Sequence, residues 1–424
     1  MMKKILLTVF IFSIFQVVHT QKKELKTIDK QIRAGEYENA LNTINSIKTL
    51  VDAADDKTKA KYYYLKGMAR YQNGNGSFDN KILSIKDFNE VKKIELSGSK
   101  IYTSKVEDII SNLFNSFVLD GQTLLSEKNY VNSYRNFEAA YRVSPSDTLY
   151  LRNAALVALE GKFLEKALEY YLELIDLGFT GISMNYYATE KESGKEQSFQ
   201  DKKQRDFSVD IISTHIDPRD ELSESVEIDI LRTVGAIYRE KGNLELSLEY
   251  LDKAKLINPK DVNVLLLEST ISYEMGNVEK YEDIIKSILE LKPNDATLYY
   301  NLGVVNAQRK NYEKALEYYD KSIQIDPNYV NSYVNSGVAI MESRGPLIEE
   351  MDGLGMSTAD YNRYDELKEE INILQRKAVV FFIKGFELNN TFDLAKQIKE
   401  IYYALDDTEN GKKWEVIQAE IENN

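Results

Sequence analysis

The stretch ATLYYNLGVVNAQRKNYEKALEYYDKSIQIDPNY, residues 296–329, decides the fold. It holds an apolar-periodic segment, a Lys-Asn turn, a second apolar-periodic segment and a proline stop. Counting residue 296 as position 1, Tyr299, Leu302 and Gly303 stand at 4, 7 and 8, and Ala315, Tyr319, Ser322 and Pro327 at 20, 24, 27 and 32. Small residues at 8, 20 and 27 let two antiparallel helices approach closely, while bulky ones at 4, 7 and 24 fill the space beside them. Proline at 32 cannot extend the second helix, because it lacks an N–H and biases its predecessor away from helical geometry.

The unit repeats. Pro259, Pro293 and Pro327 are 34 residues apart. Copy 228–261 carries Leu231, Val234, Gly235, Tyr238, Leu251 and Ala254, with Ser247 at position 20. Copy 262–295 keeps Leu265 and Pro293 but has Ser269, Tyr281 and Ile288 where small residues belong. A fixed period with two helical segments per unit signals a solenoid, in which each unit buries its apolar face only by stacking on its neighbours. The spacing at positions 4, 7, 8, 20, 24, 27 and 32 resembles the tetratricopeptide repeat. The expected fold is therefore all-α, a right-handed α-solenoid of such helix pairs. About eight pairs and a terminal cap are expected to form one superhelix.

Working outward, residues 21–113 read as divergent repeats of the same kind, with Ala40 in an early second helix and Tyr63, Gly67, Tyr71, Phe88 and Val91 in the next pair. Residues 114–181 read as two further repeats, carrying Phe117, Gly121, Ser133, Phe137, Ala140 and Pro145, then Ala155, Ala167, Tyr171 and Leu174. The pattern stops for 182–227, a length that is no multiple of the period and therefore an insertion. Alternation on both sides of Glu192-Ser193-Gly194-Lys195 predicts a small β-hairpin within 182–199. A short helix near 202–212 follows, with Phe207, Ile211 and Ile212 on one face, and 213–227 is expected to lead into the three repeats of 228–329.

A further repeat spans 330–390. Its Tyr333, Gly337 and Met341 are followed by Ala378, Phe382 and Gly385 only after a 29-residue offset. The extra sequence predicts a long helical hairpin, its arms 330–351 and 357–388 joined at Gly353-Leu354-Gly355. Ser357 or Thr358 is the expected N-cap, and Gly345-Pro346 is expected to kink or interrupt the outgoing arm. Shared equally, the surplus adds roughly 21 Å to each arm at 1.5 Å per residue. Tyr361, Tyr364, Leu367, Ile371 and Leu374 are expected to form a seam against Leu347, Ile348 and Met351. Residues 391–424 read as capping helices.

The N-terminus reads as a signal peptide over 1–20: Lys3-Lys4, the apolar run Ile5 to Val18, then Val18-His19-Thr20. Cleavage near Thr20 is expected, with retention as an anchor the alternative. The chain has no cysteine, which excludes disulfides, a lipid-bearing cysteine and thiolate metal sites. With 54 Lys and Arg against 68 Asp and Glu, the net charge is −14, which argues against nucleic acid and against direct binding to an anionic membrane. The chain also resembles secreted tetratricopeptide-repeat proteins of Bacteroidetes through the export signal, THIDPRDELSES and MDGLGMSTADYNRYDELKEE. That resemblance implies a periplasmic or outer-membrane-facing location and a protein-binding role, and it transfers no catalytic residue.

Past the signal the one histidine is His215. A Ser-His-Asp arrangement around it, or carboxylates acting on envelope polysaccharide, is the enzymatic rival, but no nucleophile elbow or zinc signature accompanies it. His215 is expected to fix the insertion to the solenoid. Asp217, Arg219, Asp220 and Glu221 are expected to make a salt-bridge knot around a turn at Pro218, without the spacing of a calcium loop. The 29 tyrosines fall mostly at positions that need bulk, so core packing is expected over a carbohydrate platform. No cofactor and no metal is implied.

First-helix positions 2, 5, 6, 9, 12 and 13 face inward in such a fold. They supply Arg232, Leu266, Thr270, Tyr273, Tyr300, Asn301, Val304, Val334, Asn335, Val338 and Met341 as a partner-binding groove. Position 9 holds Ala236, Thr270, Val304 and Val338, so the Lys/Asn carboxylate clamp known in some such grooves is absent. The floor suits a helix or extended peptide of a protein partner, unless the 342–371 insertion covers it. Leu354, Gly355 and Met356 at the hairpin tip are a second candidate contact. The expected function is a non-enzymatic scaffold of the cell envelope, in its narrower form a subunit of an outer-membrane assembly or secretion complex.

Overall fold

The computed structural model describes residues 21–422, so the signal segment 1–20 lies outside the described residues. The chain forms two compact units, Met1–Ile230 and Leu231–Asn424. In a repeat array each pair touches only its neighbours, and the division falls in the helix that follows the insertion. None of the described helices is long and apolar enough to cross a membrane.

The first unit begins with α1 (21–33), α2 (Tyr37–Ser46), α3 (Lys48–Asp52), α4 (Asp56–Tyr71) and α5 (Phe78–Ile94). It continues with α6 (Thr103–Ser126), α7 (Tyr130–Val143), α8 (Leu149–Glu160) and α9 (Leu164–Asp176). The insertion follows as β1 (Met184–Glu190), β2 (Glu196–Phe199), α10 (Lys202–Asp206), a π-helical turn at Phe207–Ile211, and β3 (His215–Leu222). Helix α11 (Glu227–Glu240) crosses into the second unit. There follow α12 (Leu244–Ile257), α13 (Val262–Glu274), α14 (Val278–Leu291), α15 (Ala296–Gln308), α16 (Tyr312–Ile325) and α17 (Val330–Glu342). The second unit ends with α18 (Gly345–Asp352), α19 (Thr358–Leu388), α20 (Phe392–Ala404) and α21 (Thr408–Glu422).

The repeat chemistry explains each pair. A Cβ added at Gly303 would lie 2.5 Å from Cδ1 of the Tyr319 ring, and at Gly121 3.2 Å from Cδ1 of Phe137. Position 8 is thus small because the position-24 ring lies flat against it. Where serine replaces alanine at position 20, its hydroxyl finds the facing helix: Ser133 donates to the Gly121 carbonyl at 2.7 Å and Ser247 to that of Gly235 at 2.6 Å. The intra-pair turn needs one left-handed residue, supplied by Gly242 and Gly276 (both φ 77°) and by Lys310 (φ 61°). The next residue caps the second helix, as Asn243 does for Leu246 and Asn277 for Lys280.

Two insertions depart in detail from the sequence reading. The hairpin forms, with Tyr186 opposite Phe199 and Thr189 opposite Glu196, but 215–222 is not a lead-in loop. It is a third strand, antiparallel to β1, giving the order β2-β1-β3. Pro218 therefore lies in an edge strand beside a register shift at Tyr187/Thr189, where Asp217 takes φ 52°. Arg205, 4% exposed, locks α10 to the sheet through Asp220 of β3 at 2.7 Å, and its neighbour Asp206 pairs with it at 2.6 Å within α10.

The helical hairpin returns on the expected residue: a Cβ at Gly337 would meet the Phe382 ring, which comes from beyond the 29-residue offset. Ser357 and Asp360 form a reciprocal capping box at the start of α19. The two arms are unequal, however. Pro346 starts a separate short helix, α18, because proline at a first helical turn gives up no hydrogen bond. An eight-residue α18 cannot supply the projecting arm expected for residues 330–351. The seam is narrower too: Leu367 is buried, whereas Tyr361, Tyr364 and Ile348 are exposed. Arg363 takes over part of its work, meeting Glu350 at 2.7 Å across the arms.

Candidate functional site

The candidate groove belongs to the second unit, on α11, α13, α15 and α17. Arg232, Leu266, Thr270, Asn301 and Val304 are half-buried, and Tyr273 and Val338 are exposed at 41% and 38%. Consecutive repeats are tied along this row. Asn335 Nδ2 donates to the Tyr300 hydroxyl at 3.0 Å, linking position 6 of one repeat to position 5 of the one before. Tyr300 also packs on Tyr319 and Tyr329, with ring centroids 5.9 and 5.2 Å away, and its burial raises its pKa. Tyr273 donates to Gln308 Oε1 at 2.9 Å, and the Thr270 hydroxyl turns back to the Leu266 carbonyl. Val304, like Tyr300, packs against the buried cluster of Ala315, Tyr319 and Ala339, while Val334 and Met341 join the core of the last pairs.

At its C-terminal end the row opens into a cleft of about 390 Å³ between α17, α19 and α20. Val338 and Met341 form one wall, with Phe382 and Ile401 behind them. The polar groups were not anticipated. Arg344, half-buried, donates from Nε to the Met341 carbonyl at 2.7 Å, while burial lowers its pKa against the opposing pull of Glu342. Gln375, only 7% exposed, lines the cleft with no side-chain hydrogen bond to any described residue. Gln397 and Glu400 complete the polar side. No residue of α18 or of 353–371 lines the cleft.

Gln397, Ile401 and Ala404 were within reach of the sequence. Carrying the 34-residue register past the 29-residue offset puts them at positions 5, 9 and 12 of one more first helix, the positions that face inward. Gln375 was not: the same offset makes it position 17, the first residue of a second helix, and only first-helix positions were read as facing inward. At the hairpin tip the three residues differ: Met356 is 89% exposed, but Leu354 is half-buried and Gly355 is exposed beside the Asp360 carboxylate.

The enzymatic candidates resolve into structure. His215, buried, contacts Gln197 Oε1 through Nε2 at 3.2 Å and the Thr214 hydroxyl through Nδ1 at 2.9 Å, with its ring edge-on to Phe199. These contacts hold the insertion's own sheet together and do not fix it to the helices, as had been expected. Arg219 pairs with Glu196 and Glu221 at 2.9 and 2.5 Å, while Asp220 faces Arg205, so the anticipated knot forms across strands and not around a turn. Seven tyrosines are buried in the core, among them Tyr62, Tyr170, Tyr171 and Tyr319 at no more than 3% exposed, whereas most of the others are half-buried, so core packing holds for only part of the set.

Stacked antiparallel helix pairs with a continuous inner row define a helical-repeat scaffold, a class that holds protein partners. Residues 296–329 and 233–261 each match a family model described as tetratricopeptide repeat. Those two segments are tetratricopeptide repeats. No curated protein matches the chain. Among solved structures, MamA protein is 18% identical, with 47% of this chain and 93% of MamA covered at a TM-score of 0.35. YrrB, described as a TPR protein with an unusual peptide-binding site, is 17% identical over 55% of this chain and 95% of its own, at 0.36. A tetratricopeptide repeat protein from Parabacteroides merdae is 14% identical over 68% and 99%, at 0.39.

Proposed function

We propose that the chain is an exported scaffold of the cell envelope that holds an extended or helical segment of a partner protein along the inner row of its second unit. The supporting observation is Gln375: a residue 7% exposed overall, lining the cleft beside Val338 and Met341, with its amide open to the cleft and without a side-chain partner among the described residues. A peptide group satisfies both ends of an amide at once, and Arg344 offers its terminal guanidinium nitrogens to a carbonyl or carboxylate alongside. Val338, Met341 and Phe382 provide the apolar wall for a side chain.

The test places a photocrosslinking residue at Val338 and at Tyr273 in the exported chain, then repeats the capture with Gln375→Leu and Arg344→Ala. A single stoichiometric membrane protein crosslinked at both positions marks a subunit of an outer-membrane assembly or secretion machine, and a mixed set marks a general adaptor. The two substitutions are expected to weaken that partner's affinity at least about tenfold, the loss of one or two charge-assisted hydrogen bonds. A partner held equally well by both folded variants, or crosslinked at neither position, would overturn the groove. Recovery of the chain in the cytoplasm with residues 1–20 attached would overturn the location.

A further inference from the structure

Five lysines converge on one cleft of an otherwise acidic chain. Lys22, Lys23 and Lys26 reach it from α1, and Lys57 and Lys61 from the start of α4, around a space of about 590 Å³ in the first unit. None of the five takes part in an ion pair among the described residues. Lys255 and Lys280, by contrast, close on buried Glu268 at 2.8 and 2.9 Å. The one carboxylate lining the cleft, Asp55, is already committed. It caps α4 by accepting the Thr58 N–H at 2.7 Å. Hydrogen bonds from Thr58, with Lys22 and Lys57 adding their charge, hold its pKa below the usual carboxylate range.

The net charge of −14 does not describe this place. Charges act over a Debye length of about 8–10 Å at ordinary ionic strength, so five cations around one cleft set a positive local field whatever the remote surface carries. The N-terminal end of the 16-residue α4 adds its dipole to them. Balancing that field takes several negative charges in a small volume. An acidic peptide brings one carboxylate per side chain together with the backbone between them, whereas one phosphate carries up to two charges and three acceptor oxygens in a few atoms. The hydroxyl of Tyr102, which also lines the cleft, suits the same oxygens.

We propose that the α1–α4 cleft binds a multiply phosphorylated anion, free in solution or presented as a lipid headgroup. The full exported chain is titrated calorimetrically with tripolyphosphate, and separately floated with phosphatidylcholine vesicles with and without cardiolipin, whose headgroup carries two phosphates. Tripolyphosphate binding that weakens with salt, and at least about tenfold in Lys26→Glu/Lys61→Glu, supports the site, since each lysine near an anionic surface contributes about a factor of five. Cardiolipin-dependent flotation lost in the same variant assigns a lipid source, and tripolyphosphate binding without flotation assigns a soluble one. Lys368→Glu/Lys377→Glu makes the same change of net charge on α19 and is expected to bind normally. The proposal is overturned if neither probe binds, if polyglutamate binds as tightly as tripolyphosphate, or if both double variants lose binding equally. Circular dichroism of each variant confirms that folding is retained.

Discussion

Gly303→Val tests the packing that makes the repeat. The Cβ of any side chain at 303 would sit 2.5 Å from Cδ1 of Tyr319, closer than real Cβ contacts come. Tyr319 has nowhere to go, being 1% exposed with its ring against Tyr300. Overpacking of this kind costs about 1–3 kcal/mol. Valine regains a few tenths of a kcal/mol over glycine in helix propensity, leaving a net loss of roughly 1–2.5 kcal/mol. For a body of 150–250 residues that lowers the melting midpoint by roughly 2–10 °C. A double-mutant cycle with Tyr319→Ala separates the clash from helix propensity. Losing the ring alone costs about 3–5 kcal/mol, but in that background valine has room, so its own penalty is expected to vanish or reverse. Gly345→Ala, where an added Cβ meets nothing within 4 Å, serves as the neutral control. Thermal and urea unfolding followed by circular dichroism supply all four corners of the cycle. Equal cost of valine in both backgrounds, additive within about 0.5 kcal/mol, would refute the position-8 to position-24 contact and the register built on it.

Two further outcomes follow from the buried side chains. Burial holds Tyr62, Tyr171, Tyr281 and Tyr319 at about 12 against an ordinary 10.0, so the folded state favours the neutral ring. Their contribution is whole below about pH 10 and is lost as pH rises through 12, so phenolate absorbance should appear in two phases, the later one coinciding with loss of helical signal. A single phase near 10, with the helices intact, would contradict the burial. Arg205→Ala removes the cation joining α10 to β3 and should destabilise the insertion by about 1–3 kcal/mol, discounted because both carboxylate partners are partly solvated. Limited proteolysis should then cut within 182–227 while the helical repeats resist, and an unchanged cleavage pattern would remove Arg205 as the lock.

Periodicity determined the helices by itself, because apolar spacing, a turn residue, a capping side chain and a proline stop are all local. Even the displaced partner of Gly337 was legible, since Ala378, Phe382 and Gly385 keep their mutual spacing after the 29-residue offset. The third strand was not. HIDPRDEL carries charges and a proline that read as a turn, and only pairing with β1 makes it extended. Tyr300 and Asn335 could be placed at repeat positions 5 and 6, but not the tie between them, which depends on how successive repeats stack. Gln375 and the α1–α4 lysines lay beyond the sequence for the same reason. A helix face announces its apolar side through its period, whereas a polar site gathers side chains from elements far apart in the chain. Which of them meet, and which are left without a partner, is decided only when those elements pack.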